Sequence, residues 1–286
     1  MQAPSRDCAA LPQAMSEEAR IAALPLWHGR PAIEPIAAGR TNRNFIVEDQ
    51  GRRYFARIGA DIPLHGISRA VERRCAMLAA EAGIAPSVVY AAGGIMVTAY
   101  VEGETLSIAS ARTPDRLTQI VAVLRRLHAI PLQGDLPGFC PVATSHRYLA
   151  RLSDAELPVA RARIAACLAH LPSFPPYCLI HGDLIPENFI LSGGRLLLVD
   201  WEYAGNGAAA TDLAMVISNF ELDAATAQSL LRHYGPVDQA AIETMRVAAV
   251  VREALWCLMQ ARIGGMTGDL PDYTALCLQR LQRVLA

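Results

Sequence analysis

The spacing of apolar residues changes part-way along the chain. Up to about residue 100 they alternate with polar residues or run in short blocks bounded by turn formers. On this pattern "AIEPIAA" (32–38), "NFIVEDQ" (44–50) and "RRYFARIG" (52–59) read as strands, with "GRTN" and "DQGRR" as the turns between them. A 3.6-residue period then predicts a helix over "RAVERRCAMLAAEA" (69–82), capped by Ser68 and stopped by Gly83 with Pro86 soon after. Two further strands, "SVVYA" and "IMVTAYV", flank Gly93 and Gly94. Beyond about residue 105, helical spacing takes over in "PDRLTQIVAVLRRLHAI", "ELPVARARIAACLAHL", "AAATDLAMVISNF", "ATAQSLLRHYG", "QAAIETMRVAAVVREALWCLMQARI" and "YTALCLQRLQRVLA". The expectation is an α+β, bilobal chain: a β-rich lobe over 1–98, a hinge at 99–103 and a helical lobe over 104–286. A cleft between two unequal lobes is a common ligand site.

One segment breaks the helical run. "ENFILSGGRLLLVDW" (187–201) is two apolar blocks around Ser-Gly-Gly, the pattern of a hairpin. With the turn at Ser192–Arg195, Leu191 faces Leu196, and Asn188 falls opposite Val199 or Asp200. Asp183 enters the same open end. Singly, these residues could be Asx-turns and caps. Together they gather three oxygen-bearing side chains, a donor set suited to a hard cation such as Mg²⁺ that shares phosphate oxygens.

Composition narrows the chemistry. The 286 residues are 52% hydrophobic with a net charge of -1, so there is no basic footprint for nucleic acid. Seven widely spaced cysteines without a Cys-x-x-Cys argue against zinc and disulfide frameworks and for a reducing cytoplasm. The first residues carry no signal-peptide pattern, and Met15 before "SEEAR" could be a natural start, with 1–14 a disordered extension. Ala82 to Val101 is free of charge, but Gly83, Pro86 and Gly93-Gly94 break it into strand-sized pieces rather than a membrane span. The chain has no lysine, which rules out a P-loop and a Schiff-base mechanism; arginine must hold any phosphate.

The run "HGDLIPENFIL…LLLVDWEYAG…TDLA" resembles the catalytic loop and metal-binding Asp of protein-kinase-like phosphotransferases, most of all choline/ethanolamine kinases and aminoglycoside phosphotransferases. The resemblance continues through "GRTNRNFIV", "YFARIG", "ISRAVERRCAMLAAEAGIAP" and "IMVTAYVEGETL". It implies a protein-kinase-like fold, ATP and Mg²⁺ as cofactors, Asp183 as the catalytic residue, and Asn188 and Asp200 as magnesium ligands. It places Arg57 at the strand position that binds the α/β-phosphates, Glu72 as its acidic partner, and Ala38–Asn44 at the phosphate loop. There Gly39 is kept, and backbone N–H groups with Thr41 and Asn42 would grip phosphate. Adenine would meet the backbone of Ala99, Tyr100 and Val101. His181 would buttress the loop backbone rather than transfer protons, and Asp212 would anchor the loop by hydrogen bonding rather than meet substrate.

The resemblance implies a small cationic amino alcohol as acceptor, choline- or ethanolamine-like, with thiamine or an aminoglycoside as alternatives and a non-catalytic nucleotide-binding module as a further one. Trp201, Tyr203, Trp256 and Phe220 are candidate aromatic walls for a cation, and Glu202, Glu221 and Glu253 candidate counter-charges. Trp256 stands where the family's late helix lends a tryptophan. The second aromatic, expected three residues earlier, is Glu253 here, a departure that weakens choline. The end "LQRLQRVLA" lacks the acidic, aromatic tail of aminoglycoside enzymes.

Overall fold

The computed structural model describes residues 15–36, 42–172, 174–264 and 270–286. The expectations placed on Gly39, Thr41 and residues 1–14 lie outside these residues. The N-terminal part holds α1 (Glu17–Ala22), β1 (Ala32–Ile36), β2 (Arg43–Asp49), β3 (Arg52–Ile58), α2 (Arg69–Glu81), β4 (Val88–Ala92) and β5 (Ile95–Ala99). Its five strands form one antiparallel sheet in the order β1-β2-β3-β5-β4. Alternation sets its inner face: Phe45 and Val47 on β2, Ala56 and Ile58 on β3, and Ile95 and Val97 on β5 are buried against Ile21 of α1. Burying each large side chain of this set contributes roughly 2 kcal/mol.

The sheet's tight turns have a local cause. Gln50-Gly51 and Gly93-Gly94 both have positive φ, the two-residue turn whose twist matches that of the flanking strands. The expected helix forms, but Ser68 does not cap it with its side chain. The Asp61 carboxylate accepts the Arg69 amide instead, at 2.7 Å.

The helical part holds β6 (Glu104–Thr105), α3 (Ile108–Ala111), α4 (Pro114–His128), α5 (Pro141–Leu149), α6 (Arg161–His170), β7 (Cys178–Ile180), β8 (Phe189–Ser192), β9 (Arg195–Leu198), β10 (Gly205–Gly207), α7 (Ala209–Asn219), α8 (Ala224–Tyr234), α9 (Gln239–Gly264) and α10 (Leu270–Leu285). The hairpin register is the one expected: Leu191 pairs with Leu196, and the Val199 amide donates to the Asn188 carbonyl at 3.0 Å. β6 joins the hairpin's edge, and β10 pairs with β7. α9 packs on α5, α7 and α10, burying Met245, Val251, Leu255 and Met259. α1 and α5 were not expected from the spacing; α5 carries His146 and Arg147 among few apolar residues. No helix among the described residues is long and apolar enough to cross a membrane, and the uncharged stretch from Ala82 folds largely as β4 and β5.

Candidate active site

The site is assembled from the ends of β3, β7 and β9 and the start of α2. At the β7 end the chain turns through His181-Gly182-Asp183. Gly182 has φ +78°, and a Cβ there would lie 2.6 Å from the Tyr203 carbonyl, so the turn requires glycine. Asp212, fully buried on α7, fixes this turn by accepting the amides of His181 at 2.8 Å and Gly182 at 2.9 Å, with His128 Nε2 at 3.1 Å. Burial alone would raise the Asp212 pKa, but the His128 hydrogen bond and charge and the surrounding donors hold it below the ordinary carboxylate range. The His181 ring packs edge-on against Trp201 at 4.7 Å and bonds to the Val199 carbonyl at 3.0 Å. Burial lowers its pKa, so it stands neutral as a buttress.

Beyond Asp183, Pro186 opens a single 3₁₀ turn that delivers Asn188, whose side-chain amide donates to the Asp183 carbonyl at 2.9 Å. Asp200 follows β9 with φ +66°, a left-handed conformation that non-glycine residues seldom adopt and that is often found at functional sites. The carboxylates of Asp183 and Asp200 keep 28% and 38% of their side-chain surface in solvent, so the site opens outward. Desolvation pushes the Asp183 pKa up to about 7; Arg252 opposes this, while Glu253, Asp200 and Glu202 add to it.

Arg57 on β3 reaches this loop from the sheet. Its guanidinium pairs with buried Glu72 of α2 and, through Nη1, with Asp200 Oδ1 at 2.6 Å. Arg69 extends the network, with Nη1 2.6 Å from Glu72 and 3.2 Å from Glu202. Burial and the neighbouring Arg57 lower the Arg69 pKa. Asn42 donates to Glu202 at 2.9 Å, tying the start of β2 to the segment after β9. In the expected hinge, the Ala99 amide donates to Ser87 at 2.9 Å and the Tyr100 amide to Arg53 at 3.1 Å. Two of the three candidate adenine-facing amides are therefore already bonded within the N-terminal part.

The proposed cation walls fare differently. Trp201 is 2% exposed and lies in the core beneath His181, so it does not wall a pocket. Phe220 is fully buried against Phe189, and Glu221 pairs with Arg112 at 2.7 Å, because both belong to the end of α7 and the turn after it. Tyr203 and Trp256 do meet, indole N–H to hydroxyl at 3.0 Å. The ring of Tyr203 faces Arg252, whose Cζ is 5.0 Å from its centroid.

The phosphotransferase enzyme family model matches residues 32–248, most of the chain and the site residues from Asn42 to Asp212. The chain belongs to this family. It is 28% identical to Protein LicA of Haemophilus influenzae over 207 residues, 68% of this chain and 60% of that protein. The chain thus spans less than two thirds of that relative's length. It is also 28% identical to a thiamine kinase of Escherichia coli O1:K1 / APEC, over 65% of this chain and 67% of that protein. Among solved structures, a choline/ethanolamine kinase family protein from Mesorhizobium loti superposes with a TM-score of 0.72 at 27% identity, covering 94% of this chain and 93% of that one.

Within this phosphotransferase, several site residues carry no local sequence signal. His128 closes α4 and shows only as a polar residue after an amphipathic run, yet it supports Asp212 and bonds Tyr234 at 2.8 Å. Arg69 opens α2, and nothing in its local sequence marks it. Arg252 had a signal: with Glu253 it interrupts the apolar run Val247–Met259 of α9, where a buried charge needs a partner. It is 3% exposed and lies 3.6 Å from Asp183.

Proposed function

We propose that this phosphotransferase is an ATP- and Mg²⁺-dependent kinase that transfers the γ-phosphoryl group to a hydroxyl of a small metabolite. The observation that carries this reading is Asp183, Asn188 and Asp200 grouped at the open end of one hairpin, with Arg57 bonded to Asp200 from the sheet. Phosphoryl transfer needs positioning and charge neutralisation more than covalent chemistry from the protein. Asp183 would orient the acceptor hydroxyl and take its proton as the bond forms. Arg57, held by Glu72, would hold the α/β-phosphates. One carboxylate and one amide oxygen, with waters and phosphate oxygens to complete the shell, suit magnesium. Asp200 and Asn188 would hold it, and when bound it neutralises phosphate charge.

In this reading residues 1–98 form the nucleotide lobe, 99–103 the hinge and 104–286 the catalytic lobe, working in the cytoplasm where ATP is supplied. Adenine would meet the hinge backbone at Ala99–Val101. The relatives' names divide between choline/ethanolamine and thiamine. The resemblance therefore favours a cationic alcohol as acceptor, a choice that the geometry around Asp183 bears on directly. A coupled ADP-release assay over a panel of alcohols tests the reading, together with calorimetry of MgATP. The expected result is alcohol-dependent ADP release, with Asp200→Ala losing Mg²⁺-dependent nucleotide binding. An Asp200→Ala protein that binds MgATP as tightly as the parent removes the metal assignment.

A further inference from the structure

A kinase that takes an ammonium alcohol needs a free aromatic face or a free carboxylate near its catalytic Asp. Among the described residues, the aromatic rings and carboxylates nearest Arg252 are engaged by the protein itself. The Tyr203 ring faces the Arg252 guanidinium at 5.0 Å and the Phe139 ring faces it at 5.7 Å. Glu253 binds Arg252 through Oε2 at 3.0 Å and accepts the Tyr273 hydroxyl on Oε1 at 2.7 Å. Glu202 serves Arg69 and Asn42. Trp256, 7% exposed, gives its indole N–H to Tyr203. The position a substrate cation would fill on these rings is filled by a cation of the chain.

That cation is a buried one. The Arg252 side chain is 4% exposed, and its Nε and Nη1 atoms have no hydrogen-bond acceptor among the described residues. Buried donors without partners are costly and uncommon, and a buried guanidinium beside a reacting carboxylate invites an anionic oxygen. Burial works against its charge, but Glu253 and Asp183 together outweigh it and raise its pKa, so it stays charged.

We propose that Arg252 sets the acceptor class: next to Asp183 the chain takes an alcohol bearing an anionic oxygen group, carboxylate or phosphate, and selects against ammonium alcohols. The inference rests on the kinase reading, since it takes Asp183 as the group that meets the acceptor hydroxyl. A hydroxyl held by Asp183 places the rest of a short acceptor within a few ångströms of the guanidinium. An ammonium there meets a like charge, at a cost on the order of 10- to 100-fold in binding at protein-like dielectric. A carboxylate or phosphate there gains a forked pair of donors, and Glu253 keeps the Tyr273 hydroxyl when Arg252 turns toward substrate.

The test is ADP release by the full chain with ATP and Mg²⁺, comparing glycerate, glycerol phosphate, choline, ethanolamine and thiamine. The expected result is a kcat/KM for one anionic alcohol at least about 10-fold above every ammonium alcohol, the two anionic arms separating carboxylate from phosphate. Arg252→Met should then lose about 100-fold on that alcohol with MgATP affinity kept, and Arg252→Lys should recover part of the loss. Should Arg252→Met not fold, titration of the same alcohols into the MgADP complex of the unaltered chain reads the same preference. Turnover of choline, ethanolamine or thiamine at or above the anionic alcohols overturns the inference and leaves the kinase reading standing. Failure to bind MgATP removes the kinase reading, and the inference with it.

Discussion

Arg57 and Asp200 meet, Nη1 to Oδ1 at 2.6 Å, joining the third strand of the sheet to the residue that ends the β8–β9 hairpin. The same guanidinium pairs with Glu72, which is 2% exposed. Arg57→Met would leave Glu72 buried with Arg69 as its remaining cationic partner, a loss of about 3 kcal/mol at the low end for breaking a buried pair. Arg57→Met/Glu72→Leu should restore much of that stability in urea unfolding without restoring activity. If the double variant regains turnover, Arg57 serves the fold rather than phosphate.

Asp183→Asn keeps the shape of the side chain and removes its capacity to accept a proton. The loop is held by Asp212 and by the Asn188 bond to the Asp183 carbonyl, so the substitution should not disturb it. We expect kcat to fall roughly 10²- to 10⁴-fold, the usual range for a positioned base, with MgATP affinity nearly unchanged. Single-turnover kinetics with calorimetry separates the two quantities. An unimpaired variant would take Asp183 out of the chemistry.

What the chain disclosed in advance, and what it withheld, follows from the range of each interaction. The β8–β9 register was legible because Ser192-Gly193-Gly194 can turn in only one place, and alternation then carries Asn188 to Val199. The N-terminal strands were legible for the same reason. The Arg57–Glu72 pair came from resemblance; spacing alone leaves Glu72 as one more charge on a helix. Arg69 to Glu202 and His128 to Asp212 join residues 133 and 84 positions apart, and no local period encodes such pairs. Trp201 was misread because aromatic type says nothing of side: its ring lies beneath His181. Where local rules fail here, the residues are charged, buried and gathered at the site.

Asp212 is the fixed point of the His181–Asp183 turn, accepting two successive amides and one imidazole while fully buried. Asp212→Asn replaces one acceptor oxygen with a donor that faces an amide, leaving that amide unmet. A destabilisation of about 2–3 kcal/mol is expected from the unpaired buried group. Because the turn carries Asp183, kcat should fall further than nucleotide affinity. The control is Asn219, which donates to the Leu184 carbonyl just beyond the turn at 2.8 Å. Asn219→Ala should cost stability but spare most of kcat. Equal kcat losses in both variants would mean that Asp212 acts only through general stability.

His65 ties stability to pH on the far side of Arg252. It is 2% exposed, its Nδ1 lies 2.8 Å from the Tyr148 hydroxyl, and its ring lies 6.1 Å from that of Trp256. Desolvation, then the charge of Arg252, lowers its pKa from 6.5 to about 4. Above pH 6.5 the ring is neutral both folded and unfolded and adds no pH dependence. As pH falls from 6.5 toward 4 the unfolded chain takes up the proton first, so the folded state loses stability through that window. At 1.36 kcal/mol per pKa unit the loss by pH 4 is on the order of 3 kcal/mol. His65→Phe removes the titration along with the Tyr148 hydrogen bond. It should lower stability at pH 7.5 yet flatten the slope of unfolding free energy between pH 6.5 and 4.5. A variant whose slope matches the parent's would show that His65 protonates as readily folded as unfolded.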